Sequence, residues 1–209
     1  MLLRTYIFSV IILVSACAKS QDKKTEVRQI GGPCEGCEAI YEYGNRVLDP
    51  IDTLPDFEKK EEKIKITGII YEKDGKTPAK DVILYAYQTN ENGIYPKTKT
   101  SKGWEKRHGY IRGWIKTDAT GMYTIFTFRP GSYPNSSIAQ HIHFTIKEPG
   151  KNEYYIDDIH FDDDPFLTRE MRIKSHPRCG NGIVTLLKKK GILEAKRDII
   201  LGLNIPDYN

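Results

Sequence analysis

His141-Ile142-His143-Phe144-Thr145-Ile146-Lys147 alternates strictly, with Ile142, Phe144 and Ile146 on one side and His141, His143 and Thr145 on the other. A period of two belongs to a β-strand. Its apolar side belongs in a core, which leaves two imidazoles adjacent on the opposite face. Histidines at i and i+2 of a strand form half of a metal site, since neutral imidazole is a common ligand. The same pair also reads as two solvated side chains on the wet face of a sheet. What the rest of the chain brings to that face decides between the two.

Outward from this strand the pattern repeats. Ile64–Tyr71 runs to the turn Asp74-Gly75, and Val82–Gln88 runs to Asn92-Gly93. Gly113–Thr117 turns at Asp118–Gly121 into Met122–Phe128, and Tyr154–Phe161, Gly182–Leu187 and Asp198–Leu203 follow. β-branched and aromatic residues fill the runs, while Gly, Pro, Asn and Asp separate them. No long amphipathic helix interrupts them, so the expected fold is all-β, a single β-sandwich over residues 63–209 with long loops. The opening pair of strands also resembles the start of transthyretin-like and carboxypeptidase-regulatory sandwiches, many of which are plain binding or spacer domains.

The N-terminus reads as a targeting segment. Arg4 precedes a short apolar run, Tyr6–Val14, too short to span a bilayer. Leu13-Val14-Ser15-Ala16-Cys17 resembles a bacterial lipobox, which makes residues 1–16 a lipoprotein signal peptide and Cys17 the lipidated residue. A plain secretory signal cut near Ala16 or Ala18 is the alternative. Either places the chain outside the cytoplasm, and the lipobox adds anchoring on the periplasmic side, the outer membrane or the cell surface. Residues 17–32 are polar and charged and read as a tether, with 33–62 as a lead-in. In an oxidising compartment Cys34 and Cys37 are expected to form a disulfide with each other, or one of them with Cys179. A redox role of the thioredoxin kind lacks its βαβ context.

Hydrophobic residues at 39% and aromatics at 11% suit a packed body of one domain, and a net charge of +4 is too small to indicate nucleic acid. The basic stretch from Lys97 to Lys116, with Trp104 and Trp114, reads as a solvated loop or the rim of a cleft. Asp157, Asp158, Asp162, Asp163 and Asp164 lack the spacing of a Ca²⁺ loop. His108, His160 and His176 read as satisfied or surface residues.

Two of the 13 tyrosines stand out by position: Tyr95 after the Asn92-Gly93 turn, and Tyr133 in Pro130-Gly131-Ser132-Tyr133-Pro134 ahead of the histidine strand. With Ala86-Tyr87-Gln88, Arg112-Gly113-Trp114, Thr117-Asp118, Gly121-Met122-Tyr123, Arg129, His141-Ile142-His143-Phe144 and Phe161–Pro165, they form an ordered series. From about Ile64 to Leu203 this series resembles the intradiol ring-cleavage dioxygenases, the protocatechuate and catechol enzymes. The resemblance implies a non-haem Fe(III) held by Tyr95, Tyr133, His141 and His143. It also implies a catalytic role for Tyr133, whose family counterpart leaves the metal and takes a substrate proton. The expected partners are a small aromatic diol and O2, with the membrane reached through the lipid anchor alone and a homo-oligomer left open.

Phenolate suits ferric iron, and a nearby trivalent cation strongly lowers the ordinary phenol pKa of ~10. The resemblance departs at one point. The family carries an arginine three residues before the first histidine, where this chain has Ile138, and Arg129 or Arg112 is the candidate substitute. The rival expectations are a non-catalytic lipoprotein module that keeps a metal face, and zinc or copper at the same residues.

Overall fold

The computed structural model describes residues 29–173 and 176–209. The expected signal peptide, the lipidated Cys17 and most of the tether therefore lie outside the described residues. The strands, in chain order, are β1 (Ile51–Thr53), β2 (Lys63–Tyr71), β3 (Ile83–Tyr87), β4 (Arg112–Lys116), β5 (Met122–Phe128) and β6 (His141–Lys147). They continue with β7 (Glu153–Tyr155), β8 (Ile159–Phe161), β9 (Ile183–Val184), β10 (Leu187–Lys189), β11 (Ile192–Lys196) and β12 (Ile199–Ile200). Two single-turn helices, α1 (Glu105–His108) and α2 (Arg169–Arg172), lie in the connections. One sheet runs β1-β5-β2-β11-β10, with β12 also on β2; the other runs β4-β3-β6-β8-β9, with β7 also on β6.

The alternation read from the sequence is the alternation of burial. Ile64, Ile66 and Ile70 of β2 meet Leu84 and Ala86 of β3 and Ile142, Phe144 and Ile146 of β6 in one core between the sheets. The two sheets are also stitched by polar groups where β3 ends. Gln88, fully buried, donates from Nε2 to the Phe128 carbonyl at 2.9 Å and accepts at Oε1 from the Thr127 hydroxyl at 2.8 Å. Each hydrogen bond satisfies a group whose burial alone would cost on the order of 1–3 kcal/mol.

Three features differ from the sequence expectation. First, Tyr154–Phe161 is not one strand. β7 and β8 both pair with β6, and the chain leaves the ladder between them, where the Asp157 amide donates to the Arg178 carbonyl at 3.3 Å. Second, residues 30–62 are part of the sandwich. Ile30 and Leu54 are in the main core, β1 pairs parallel with β5, and a 3₁₀ turn over Cys37–Tyr41 covers the outer face of the second sheet. There Ala39 and Ile40 pack on Tyr85 and Trp114. Third, Ile192–Lys196 is a strand, parallel to β2 in a register that sets Ala195 against Ile66.

Candidate metal centre

The outer face of β6 carries His141 and His143. Their Nε2 atoms lie 3.1 Å apart. Two loops bring tyrosines to the same point: the loop after β3 carries Tyr95, and the loop from β5 to β6 carries Tyr133. The loops meet because two glycines let their backbones touch. A Cβ on Gly93, whose φ is +73°, would lie 1.8 Å from the Ser132 carbonyl oxygen, and one on Gly131 would lie 2.2 Å from the Glu91 carbonyl oxygen. No side chain fits either position. The Gly131 amide donates to the Asn90 carbonyl at 2.8 Å, and the Thr89 hydroxyl donates to the Gly131 carbonyl at 2.8 Å.

Four donor atoms converge as a result. Tyr95 Oη lies 2.7 Å from Tyr133 Oη and 2.9 Å from His143 Nε2. Tyr133 Oη lies 3.0 Å from His141 Nε2 and 3.4 Å from His143 Nε2. The far edge of each imidazole is held by an oxygen: His141 Nδ1 donates to the Ala139 carbonyl at 2.7 Å, and His143 Nδ1 lies 3.1 Å from Asp158 Oδ1. Such outer contacts fix the tautomer and leave the Nε2 lone pairs facing the phenols. Tyr87, opposite His143 in the β3–β6 register, stacks on its ring at 4.4 Å and on His108 at 3.9 Å. Tyr85 Oη meets His108 Nδ1 at 3.0 Å.

Burial pushes both phenols above their ordinary range; for Tyr95 the bond to Tyr133 adds to this, and for Tyr133 the bond to Tyr95 opposes it. Burial, then the neighbouring His143, pushes His141 down. Burial would raise the Asp158 carboxyl, but His143 and His141 outweigh it and hold the group below the carboxylate range. Without a cation the tetrad is therefore two neutral phenols and a neutral His141, the state in which burial is least costly. A small, highly charged cation among the four atoms reverses the balance and draws off the phenolic protons. The donor set fits a ferric ion in this sense: two hard anionic oxygens, two imidazoles and a locked outer contact for each imidazole.

His141, His143 and Asp158 also bring one donor atom each within 4.8 Å of one another, which suggests a two-histidine, one-carboxylate site. The contacts argue against it. Asp158 engages Nδ1, while Nε2 of the same ring faces His141 and both tyrosines. The aspartate is therefore an orienting group on the far side of the imidazole. Sequence reading missed this role, because Asp158 sat inside what reads as a continuous strand.

Ile138 is half exposed in the loop before β6. Neither candidate substitute for the family arginine is free. Arg129 forms a two-pronged pair with Asp163, at 2.9 and 2.6 Å, and donates to Gln140 at 2.6 Å. Arg112 is held by Glu42 at 2.6 Å and Glu105 at 3.4 Å. Cys34 and Cys37 are joined in a disulfide, and Cys179 is a buried free thiol. The disulfide loop faces His143, Asp158 and Tyr87 across a cavity of about 270 Å³. A larger hollow of about 540 Å³, by Lys60, Glu91 and Arg129, contains none of the four donors.

Residues 46–196 match the family model described as Dioxygenase. The chain belongs to the intradiol dioxygenase family. Over 149 residues it is 26% identical to the protocatechuate 3,4-dioxygenase beta chain of Burkholderia cepacia, a match covering 66% of this chain and 63% of that relative. Among solved structures it is similar to catechol 1,2-dioxygenase from Pseudomonas arvilla C-1, with TM-score 0.57, 18% identity and coverage of 83% of this chain and 60% of that one. It is also similar to the dioxygenase domain of a dioxygenase carbohydrate-binding protein fusion from Streptomyces sp. SirexAA-E. That match has TM-score 0.56 and 21% identity, and covers 81% of this chain and 95% of that one. At these identities the structural likeness carries the intradiol dioxygenase fold.

Proposed function

We propose that this protein is an exported, lipid-anchored, non-haem ferric dioxygenase that opens a catechol-type diol between its two hydroxyl-bearing carbons. The observation that carries the reading is the meeting of Tyr95, Tyr133, His141 and His143 at four polar atoms linked by five contacts of 2.7 to 3.4 Å. In the net reaction one ring C–C bond breaks, and both atoms of O2 enter the two new carboxyl groups. The ring is oxidised, dioxygen is reduced, and no further reductant is required.

A ferric ion would supply the Lewis acidity that makes the diol acidic and the redox partner that opens the ring to dioxygen. The remaining tasks fall to side chains. His141 and His143, locked from behind, hold their Nε2 atoms in place. Tyr95 is closed in by Tyr87 and the Gly93 turn. Tyr133 adjoins the exposed Pro134 and Asn135, and it is the residue to which we assign the receipt of a diol proton.

A non-catalytic metal-binding module is the second reading. It is favoured by Ile138 and by the ion pairs that occupy Arg129 and Arg112. A visible spectrum with metal analysis separates the two. About one iron per chain with a tyrosinate-to-iron band that shifts on adding catechol, followed by oxygen uptake and ring opening, supports the enzyme. Band and shift without oxygen uptake support the module. No band after ferric loading of a folded protein overturns the dioxygenase reading and favours the module.

A further inference from the structure

His143 is backed by a carboxylate directly, and His141 is backed by one at a single remove. Asp164, in the turn after β8, is only 3% exposed, and backbone amides hold its carboxylate. Oδ1 accepts from the Phe166 amide at 2.8 Å, and Oδ2 accepts from the Gln140 amide at 2.6 Å. Arg129 pairs instead with the neighbouring Asp163. The Gln140 N–H belongs to the same peptide group as the Ala139 carbonyl, which accepts from His141 Nδ1 at 2.7 Å. A planar trans peptide points its N–H and its C=O in opposite directions. The Asp164 carboxylate and the His141 imidazole therefore hold opposite edges of one amide.

The same segment is braced on further sides. The Gln140 carbonyl accepts from His160 Nδ1 at 3.2 Å, and His160 is the β8 residue paired with His141. The Gln140 side chain accepts from Arg129 Nε at 2.6 Å. Hydrogen bonds to a charged acceptor are short and strong, and bonds in a chain strengthen one another by on the order of 10–30% each. A carboxylate on the N–H shifts electron density toward the carbonyl oxygen, which becomes a better acceptor for the imidazole proton. His141 then keeps that proton on Nδ1, its Nε2 lone pair faces Tyr133, and Nε2 gains strength as a metal donor.

We propose that Asp164 is a positioning residue for His141, acting through the Ala139–Gln140 peptide as Asp158 acts on His143 by direct contact. This assignment rests on the metal site proposed above, so one arm of its test is read without metal. In NMR spectra of the metal-free full-length protein, His141 is expected as the Nδ1–H tautomer, with the Gln140 amide proton far downfield and slow to exchange. Asp164→Asn keeps the shape and removes the charge. It is expected to move the His141 Nδ1 proton upfield. In a chelator competition it should also lower ferric affinity about tenfold, the lower end for outer contacts. Asp162→Asn is the control: it lies in the same turn and loses the same charge, but its carboxylate binds the Thr185 hydroxyl at 2.5 Å. It is expected to change neither readout.

A His141 resonance that stays in place in Asp164→Asn, or that moves equally in Asp162→Asn, would overturn the proposal and leave Asp164 a purely structural residue. Should Asp164→Asn fail to fold, the wild-type spectrum decides. An Nε2–H tautomer at His141, or a Gln140 amide that is neither downfield nor protected, would overturn the proposal. Iron uptake is scored separately. The expected NMR changes in a protein that takes up no iron leave the link between Asp164 and His141 and remove the dioxygenase reading. Iron uptake without those changes leaves the dioxygenase reading and removes the link.

Discussion

The Asp158 carboxylate, 3.1 Å from Nδ1 of His143, holds the imidazole by the edge that faces away from both tyrosines. The contact depends on a break in the sheet. Were Tyr154–Phe161 one continuous strand, Asp158 would stay in the ladder; because β7 ends at Tyr155 and β8 starts at Ile159, it is released beneath His143. Asp158→Asn keeps the shape and removes the charge that makes Nε2 a stronger donor. Outer-contact losses of this kind cost about 10- to 100-fold in metal affinity. A chelator competition assay should show an iron affinity lower by that factor, with the thermal transition of the metal-free protein little changed. Equal affinities would return Asp158 to a purely structural role.

Tyr95→Phe and Tyr133→Phe each remove one phenolic oxygen from a partly buried tetrad. In the metal-free protein every such oxygen still has other polar neighbours, so each change should alter stability by only about 1 kcal/mol. The metal-bound protein should respond differently, since a hard anionic donor is lost. Both variants are expected to lose much of the visible band, and Tyr133→Phe should also lose any turnover, as it removes the proposed proton acceptor. A variant with unchanged colour would exclude that tyrosine from the metal.

The period of two in His141–Lys147 is as clear in the sequence as in the structure, because one strand face is apolar and the other is not. Tyr95 and Tyr133 were different. Thirty-eight positions apart, they are joined by loop contacts that no periodicity encodes; their turns made them stand out among the tyrosines, and the resemblance to a family alone implied that they share one site. The lead-in was illegible for a related reason. The Cys37–Tyr41 turn and the three-residue β1 are too short to show a period, and their place is set by partners such as Trp114 and Phe126. β11 offers a mixed signal, with Glu194 between Leu193 and Ala195, and becomes a strand through its parallel pairing with β2.

Gly93 is where the two tyrosine loops touch, and its backbone lies at φ +73° with the Ser132 carbonyl in the space of a Cβ. Gly93→Ala therefore combines an unfavourable left-handed residue with a backbone collision. The expected loss is more than about 1 kcal/mol in urea unfolding, together with weaker iron loading as the Tyr95 and Tyr133 oxygens separate. A variant of wild-type stability and loading would show that the loops meet by some other means.

Among the described residues, Arg197 is a buried charge without a paired acid. Its guanidinium lies 5.3 Å above the Phe144 ring, and its three nitrogens find no hydrogen-bonding partner among the described residues. Burial pushes its pKa down. Replacing buried ionic groups by apolar ones of similar volume is often neutral or stabilising. Arg197→Met is accordingly expected to keep the fold and to raise the urea midpoint, by about 1 kcal/mol or more in stability. A large destabilisation would mean that the guanidinium is better satisfied than its contacts indicate.

His108 sets an acid limit on stability. Burial, followed by the charges of His143 and Arg112, lowers its pKa to about 4, while an unfolded histidine titrates near ~6.5. The unfolded chain thus binds this proton first as pH falls. The contribution of His108 is complete above pH ~6.5 and is lost progressively down to about 4. At ~1.4 kcal/mol per pKa unit, the loss is on the order of 3 kcal/mol. His141 and His160 are shifted in the same direction and add to the acid limb, so the test is a difference between proteins. His108→Phe keeps a ring against Tyr87 and removes the titration. Urea unfolding at pH 7 and pH 4.5 should show the variant losing less stability than the wild type between the two conditions. Identical losses would mean that His108 takes up its proton in the folded protein as readily as in the unfolded one.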